Sequence, residues 1–105
     1  MRRISRLSDE YVRVPVWARE DGVDVDVTVS TTVKVAFVEN GEWNPDNALF
    51  ILGEWEKDVP RNIIYARRRV SGLDPGKYRM WIKPEGAGVA PEAPAMFTDV
   101  LFEVV

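Results

Sequence analysis

The chain contains no cysteine and no histidine among its 105 residues. The first absence excludes disulfide frameworks, zinc–thiolate sites and thiol nucleophiles, and leaves the redox compartment open. The second excludes more. Histidine is the commonest metal ligand and the usual general base near neutral pH, so serine–histidine triads and most transition-metal sites go with it. No run approaches the roughly 20 apolar residues of a membrane span, and the arginine-bearing start leads into no apolar stretch of signal-peptide length. The expectation is a protein made in the cytoplasm, without a membrane role. A Gly-rich phosphate loop is missing too: Gly86-Ala87-Gly88 has no lysine, no preceding strand and no following helix. There is no helix-period segment and no internal repeat.

What is present suits one folded domain of common size. Hydrophobic residues make up 46% and charged residues 30%, too apolar for a disordered chain. The formal net charge of −3 argues against a nucleic-acid partner, which needs a basic field to release counterions. The charge is unevenly placed, with Arg2, Arg3 and Arg6 near the start and Glu20, Asp21, Asp24 and Asp26 in one later segment.

Residues 1–9 show no period-2 alternation and read as an arm. Ile4 and Leu7 are spaced for one amphipathic turn under a partner's cover. From Glu10 to Ala18 the residues alternate, Val12, Val14 and Val16 against Tyr11, Arg13, Pro15 and Trp17, and Pro15 assigns this strand to a sheet edge or a bulge. Asp21-Gly22 is a hairpin turn, after which Val23, Val25, Val27 and Val29 alternate with Asp24, Asp26 and Thr28. Val33 to Val38 is nearly continuous in apolar character and reads as central. A turn at Asn40-Gly41 and a loop over 42–48 precede a strand from Leu49 to Trp55, broken by Gly53. In the strand from Asn62 to Val70, Ile64, Ala66 and Val70 share the core face with Arg68 unless a bulge turns Arg68 outward.

The run Leu73-Asp74-Pro75-Gly76-Lys77-Tyr78 predicts a type II turn, with proline presetting φ and Gly76 at the position of positive φ. Tyr78 then opens an alternating strand that places Trp81 opposite Met80 and Ile82. Residues 84–94 read as a Gly/Ala/Pro loop, and Phe97 to Val105 as the closing strand. The fold class is all-β: an antiparallel, immunoglobulin-like sandwich of about seven strands over 10–105, with an extended N-terminal arm, its corner packed by a tyrosine next to Pro75 and Gly76.

Asp24 and Asp26, two apart on a strand, read as a solvated face rather than a catalytic pair, and Glu20–Asp24 is at best a fragment of a calcium loop. Trp17, Trp43, Trp55 and Trp81 serve core and interface packing, the rival being a platform for sugar rings. Alternation puts Arg67 and Arg69 on one face, to pair with acidic cross-strand neighbours or to dock on an acidic partner. The candidate partner-binding residues are therefore Arg2, Arg3, Ile4, Arg6, Leu7, Arg67, Arg69 and Trp43. No catalytic, cofactor or metal residue is expected.

The order Glu10-Tyr11-Val12-Arg13-Val14-Pro15-Val16, Val33-Lys34-Val35-Ala36-Phe37-Val38, Trp55, Tyr65-Ala66-Arg67, Leu73 to Tyr78 and Met80-Trp81-Ile82 resembles small β-sandwich proteins of the virion-structure regions of tailed phages and prophages of actinobacteria. The resemblance runs from Glu10 to the C-terminus and implies a non-enzymatic virion component without a cofactor. Within a virion, a compact acidic sandwich suits capsid decoration first, with the major capsid protein or other virion subunits as partners and homo-oligomerisation open. A head–tail connector or tail component is the nearest alternative, and a carbohydrate-binding module the alternative from another class.

Overall fold

The computed structural model describes residues 1–17, 19–20, 23–24, 31–43, 45–86 and 95–105. Ten strands lie within them: β1 (Arg2–Ile4), β2 (Tyr11–Pro15), β3 (Arg19–Glu20), β4 (Val23–Asp24), β5 (Thr31–Glu39), β6 (Ile51–Leu52), β7 (Glu54–Asp58), β8 (Ile63–Arg69), β9 (Gly76–Gly86) and β10 (Met96–Val104). A five-stranded sheet in the order β1-β10-β9-β5-β6 faces a three-stranded sheet in the order β2-β8-β7, and β3 and β4 pair separately. Every pairing is antiparallel except β1 with β10. The chain is an all-β sandwich.

Period-2 alternation builds the core. Val33, Val35 and Phe37 of β5, Tyr78, Met80 and Ile82 of β9, and Phe102 and Val104 of β10 point at Val12 of β2 and Ala66 of β8. The Phe37 ring meets Phe102 edge-on at 5.0 Å, and Tyr78 stacks on Phe102 at 5.7 Å. Each fully buried side chain of this size contributes about 1.5–3 kcal/mol of transfer free energy. β5 reads as continuously apolar because both of its faces are covered: Ala36 and Val38, on the other side, are as buried as Val33.

The N-terminal segment is not an arm. Arg2–Ile4 runs parallel to β10, Ile4 opposite Val104, and Ile4 is 1% exposed in the core. A three-residue strand is too short to show a period, and one buried aliphatic anchors it. The Val105 amide donates to the Ile4 carbonyl and the Arg6 amide to the Val105 carbonyl, so the segment stays on the sheet edge past Ile4. Arg2 spans to the other sheet, reaching the Tyr11 carbonyl at 3.3 Å and Glu10 at 2.7 Å.

Three further expectations change. The segment 49–55 is two strands in different sheets: β6 pairs with β5, β7 pairs with β8, and the chain crosses between them at Gly53. The crossing is tight enough that a Cβ on Gly53 would lie 2.7 Å from Val35 Cγ2 and 2.8 Å from the Arg67 carbonyl. Gly76 does not occupy the type II position. Its φ of +158° is close to extended and it opens β9 opposite Val104, while the bend at Pro75 is held by the Tyr78 hydroxyl, which donates to the Asp74 carbonyl at 2.7 Å. Pro84 to Gly86 belong to β9 rather than to a loop.

Pro15 does end an edge strand, and Arg68 does face the interior without a bulge, opposite Val12. The Asp21-Gly22 turn, the Val25–Val29 half of the expected alternation and residues 87–94 of the expected loop lie outside the described residues.

Candidate docking surface

The sandwich has two outer faces, and they differ in kind. On the three-stranded sheet the outward residues are Tyr11 and Arg13 of β2, Tyr65, Arg67 and Arg69 of β8, and Glu54 and Glu56 of β7. The register puts Arg13 and Glu54 on either side of Arg67. Arg67 donates to Glu54 at 2.9 Å and to Glu56 at 3.1 Å, and Arg13 pairs with Glu56. Arginine planes stack on the tyrosines, Arg13 over Tyr65 at 4.0 Å and Arg67 over Tyr11 at 4.4 Å. The hydrogen bond and field of Glu54, with Glu56 behind it, hold the Arg67 guanidinium above its ordinary pKa. The ladder pairs its own charges, although Arg67 Nε is buried without an acceptor among the described residues. Of the two readings of Arg67, pairing with acidic cross-strand neighbours is the one the structure shows, while the exposed Arg69 donates to the Tyr11 hydroxyl at 3.3 Å and lies over the Tyr11 ring.

The other N-terminal candidates divide. Arg2 pairs with Glu10 and Arg3 with Glu103 at 3.4 Å, both in the same chain. Ile4 is core and therefore unavailable to a partner. Arg6 is exposed, and Leu7 is 90% exposed.

The outer face of the five-stranded sheet carries an apolar patch among charged neighbours, with the ion pairs Lys34–Glu85 and Arg3–Glu103 on either side. Ala36 and Val38 of β5 and Trp81 of β9 form a second cluster with Phe50 and Ala95. Asp46 caps a short 3-10 turn over Asn47–Leu49, accepting from the Ala48 amide, and this turn delivers Phe50 onto the sheet. Phe97 of β10 stands opposite Trp81, with ring centroids 5.7 Å apart, and Trp43 meets Phe97 edge-on at 5.5 Å. Trp43 is 60% exposed and Phe97 53%. The Trp81 indole N–H is buried with no acceptor among the described residues.

Trp43 was legible in the sequence as an exposed loop tryptophan. Its neighbours were not singled out, although Phe97 shares strand parity with Leu101 and Glu103 and so falls on the outward face, as Trp81 does. Trp43 and Phe97 cross at 88°, so the pair is not a coplanar platform. Of the other tryptophans, Trp17 is exposed, and Trp55 is half-buried and donates from its indole to the Thr31 carbonyl at 2.9 Å. No helix among the described residues is long and apolar enough to cross a membrane. Compared with protein-family models, with curated proteins and with solved structures, the chain finds no match in any of the three.

Proposed function

We propose that this chain is a non-enzymatic structural protein of a tailed-phage virion, an immunoglobulin-like sandwich that decorates the capsid by docking on the major capsid protein. The observation that carries the docking role is the aromatic outer face of the five-stranded sheet. Exposed aromatics over a buried apolar base have the composition of interface anchors, and burying Trp43 and Phe97 supplies the large contact areas on which such interfaces depend. The virion assignment rests on the likeness of strand and turn residues from Glu10 onward. The immunoglobulin-like assignment is supported by the strand order, by the parallel first-with-last pairing, and by the Tyr78 hydroxyl bonded four residues upstream at the start of β9.

The docking element is thus the sheet face rather than the N-terminal segment, whose aliphatic anchor is spent inside the domain. The testing experiment counts copies of the protein in purified particles assembled with the wild-type chain and with a Trp43→Ala/Phe97→Ala chain.

A further inference from the structure

Where the chain leaves β6 for β7, the last two residues of β8 lose their neighbour on that side. Glu54 is the first residue of β7 and stands opposite Arg67, so Arg68 and Arg69 run past the end of the pairing. A cleft of about 360 Å3 opens there between the sheets. Arg67, Arg68 and Arg69 line it together with the Glu54 carboxylate, with the exposed Ile51 and Leu52 as an apolar wall. With Arg67 paired to Glu54 and Glu56, Arg68 and Arg69 are left as cations of the cleft without a carboxylate partner among the described residues, in a chain whose net charge is −3.

The arginines are not equivalent. Arg67 gives both terminal nitrogens to carboxylates, Nη2 to Glu54 and Nη1 to Glu56. Arg68 enters the interior, where its guanidinium lies over the Phe37 ring at 4.6 Å and Nη1 donates to the Val35 carbonyl at 3.0 Å. Its Nε is buried without an acceptor, and no carboxylate among the described residues pairs with it. Nη1 has the carbonyl and Nε is buried, which leaves Nη2 as the nitrogen without a bond to another described residue, on a side chain that lines the cleft. Loss of water around the head depresses the Arg68 pKa, the cost of holding a cation without a counter-ion.

We infer that this cleft binds the carboxylate of a partner's acidic side chain, with Arg68 as the recognising group. A guanidinium fixed by a ring on one face and a carbonyl on one edge holds its remaining Nη2 donors in one orientation, ready for a charge-assisted bond to a carboxylate oxygen. Arg69 at the rim adds attraction, and Ile51 and Leu52 receive the methylenes that carry the acid. The site lies at the sheet edge and does not depend on the virion assignment.

The experiment follows the Arg68 Nε–H resonance by NMR, which burial protects from rapid solvent exchange, during titration at constant ionic strength. Four probes are compared: sodium acetate, inorganic phosphate, N-acetylglutamate amide and N-acetylglutamine amide. A saturable shift with a millimolar constant is expected for acetate, severalfold tighter for the glutamate compound, and absent for the glutamine compound. In Arg68→Met, whose side chain refills the space of the arginine stem, saturation at the Gly53 and Ser71 amides is lost. In Arg68→Lys, which keeps the charge but not the fork, it weakens severalfold. Unsaturated shifts, undiminished binding in either variant, or equal affinity for acetate and the glutamate compound would overturn the inference. Phosphate binding tenfold tighter than acetate would overturn it in favour of a phosphate ligand.

Discussion

Gly53→Ala tests the point at which the two sheets are tied together. The added Cβ would sit 2.7 Å from Val35 Cγ2 and 2.8 Å from the Arg67 carbonyl oxygen, against 3.4 Å or more for an ordinary contact. Neither neighbour can swing away. Val35 is fully buried and β-branched, and the Arg67 oxygen is main chain in β8. Regaining 3.4 Å from the carbonyl requires 3.4 − 2.8, or about 0.6 Å, of backbone separation between β8 and the crossing, in a core packed to near-crystalline density. The same movement pulls on the Gly53 amide, which donates to the Val33 carbonyl at 2.8 Å. Overpacking of this kind costs about 1–3 kcal/mol, and about 2 kcal/mol corresponds to a fall of about 10 °C in the melting temperature of a domain this size. Thermal melts by circular dichroism read the effect. In a Val35→Ala background, which removes one of the two clashing atoms, the penalty of Gly53→Ala is smaller, giving a non-additive cycle. A Gly53→Ala variant melting within about 2 °C of wild type would refute the tight crossing.

Two further perturbations test the edges of the core. Ile4→Ala should cost about 2–5 kcal/mol, because the side chain is fully buried between β10 and the facing sheet, whereas Leu7→Ala should stay within about 0.5 kcal/mol in urea titrations; an unchanged midpoint for Ile4→Ala would restore a free arm. Tyr78→Phe should lose about 0.5–1.5 kcal/mol for the bond to the Asp74 carbonyl. Burial, reinforced by the charges of Glu39 and Asp74, raises the Tyr78 pKa above its ordinary 10.0, so the fold favours the neutral phenol. That contribution is complete below the unfolded pKa and is lost as pH rises through the raised folded value. Urea midpoints from about pH 9 to 11 should therefore fall more steeply in wild type than in Tyr78→Phe, and equal slopes would contradict the assignment.

Much of the sandwich was written in strand parity. The alternation of β9 places Met80 and Ile82 on one face and Trp81 on the other, the same count turns Arg68 into the core, and the nearly continuous apolar run of β5 marks it as central. The tyrosine at the bend was legible as well, although its hydroxyl rather than the conformation of Gly76 closes the corner. What stayed hidden depends on tertiary pairing. Three residues of β1 carry no period, so the burial of Ile4 is decided by the neighbouring β10. The split at Gly53 is set by which sheet each half joins. Whether Arg67 is a free cation or a committed one turns on register, which brings Glu54 opposite it and Glu56 within reach. The aromatic patch lay half in view: parity exposes Phe97, but only the fold brings Trp43 and Phe50 to it.

The most direct measurement of the docking role is quantitative mass spectrometry of purified virions, counting this chain against the major capsid protein for wild type and for Trp43→Ala/Phe97→Ala, with thermal melts confirming that the variant is folded. The decoration reading predicts hundreds of wild-type copies per particle, a number that tracks the capsid subunit, and loss of most of them when the two exposed aromatics are removed. About a dozen copies would place the chain in a connector ring instead. Absence of the wild-type protein from the particle, or full occupancy by the folded double variant, would contradict the account.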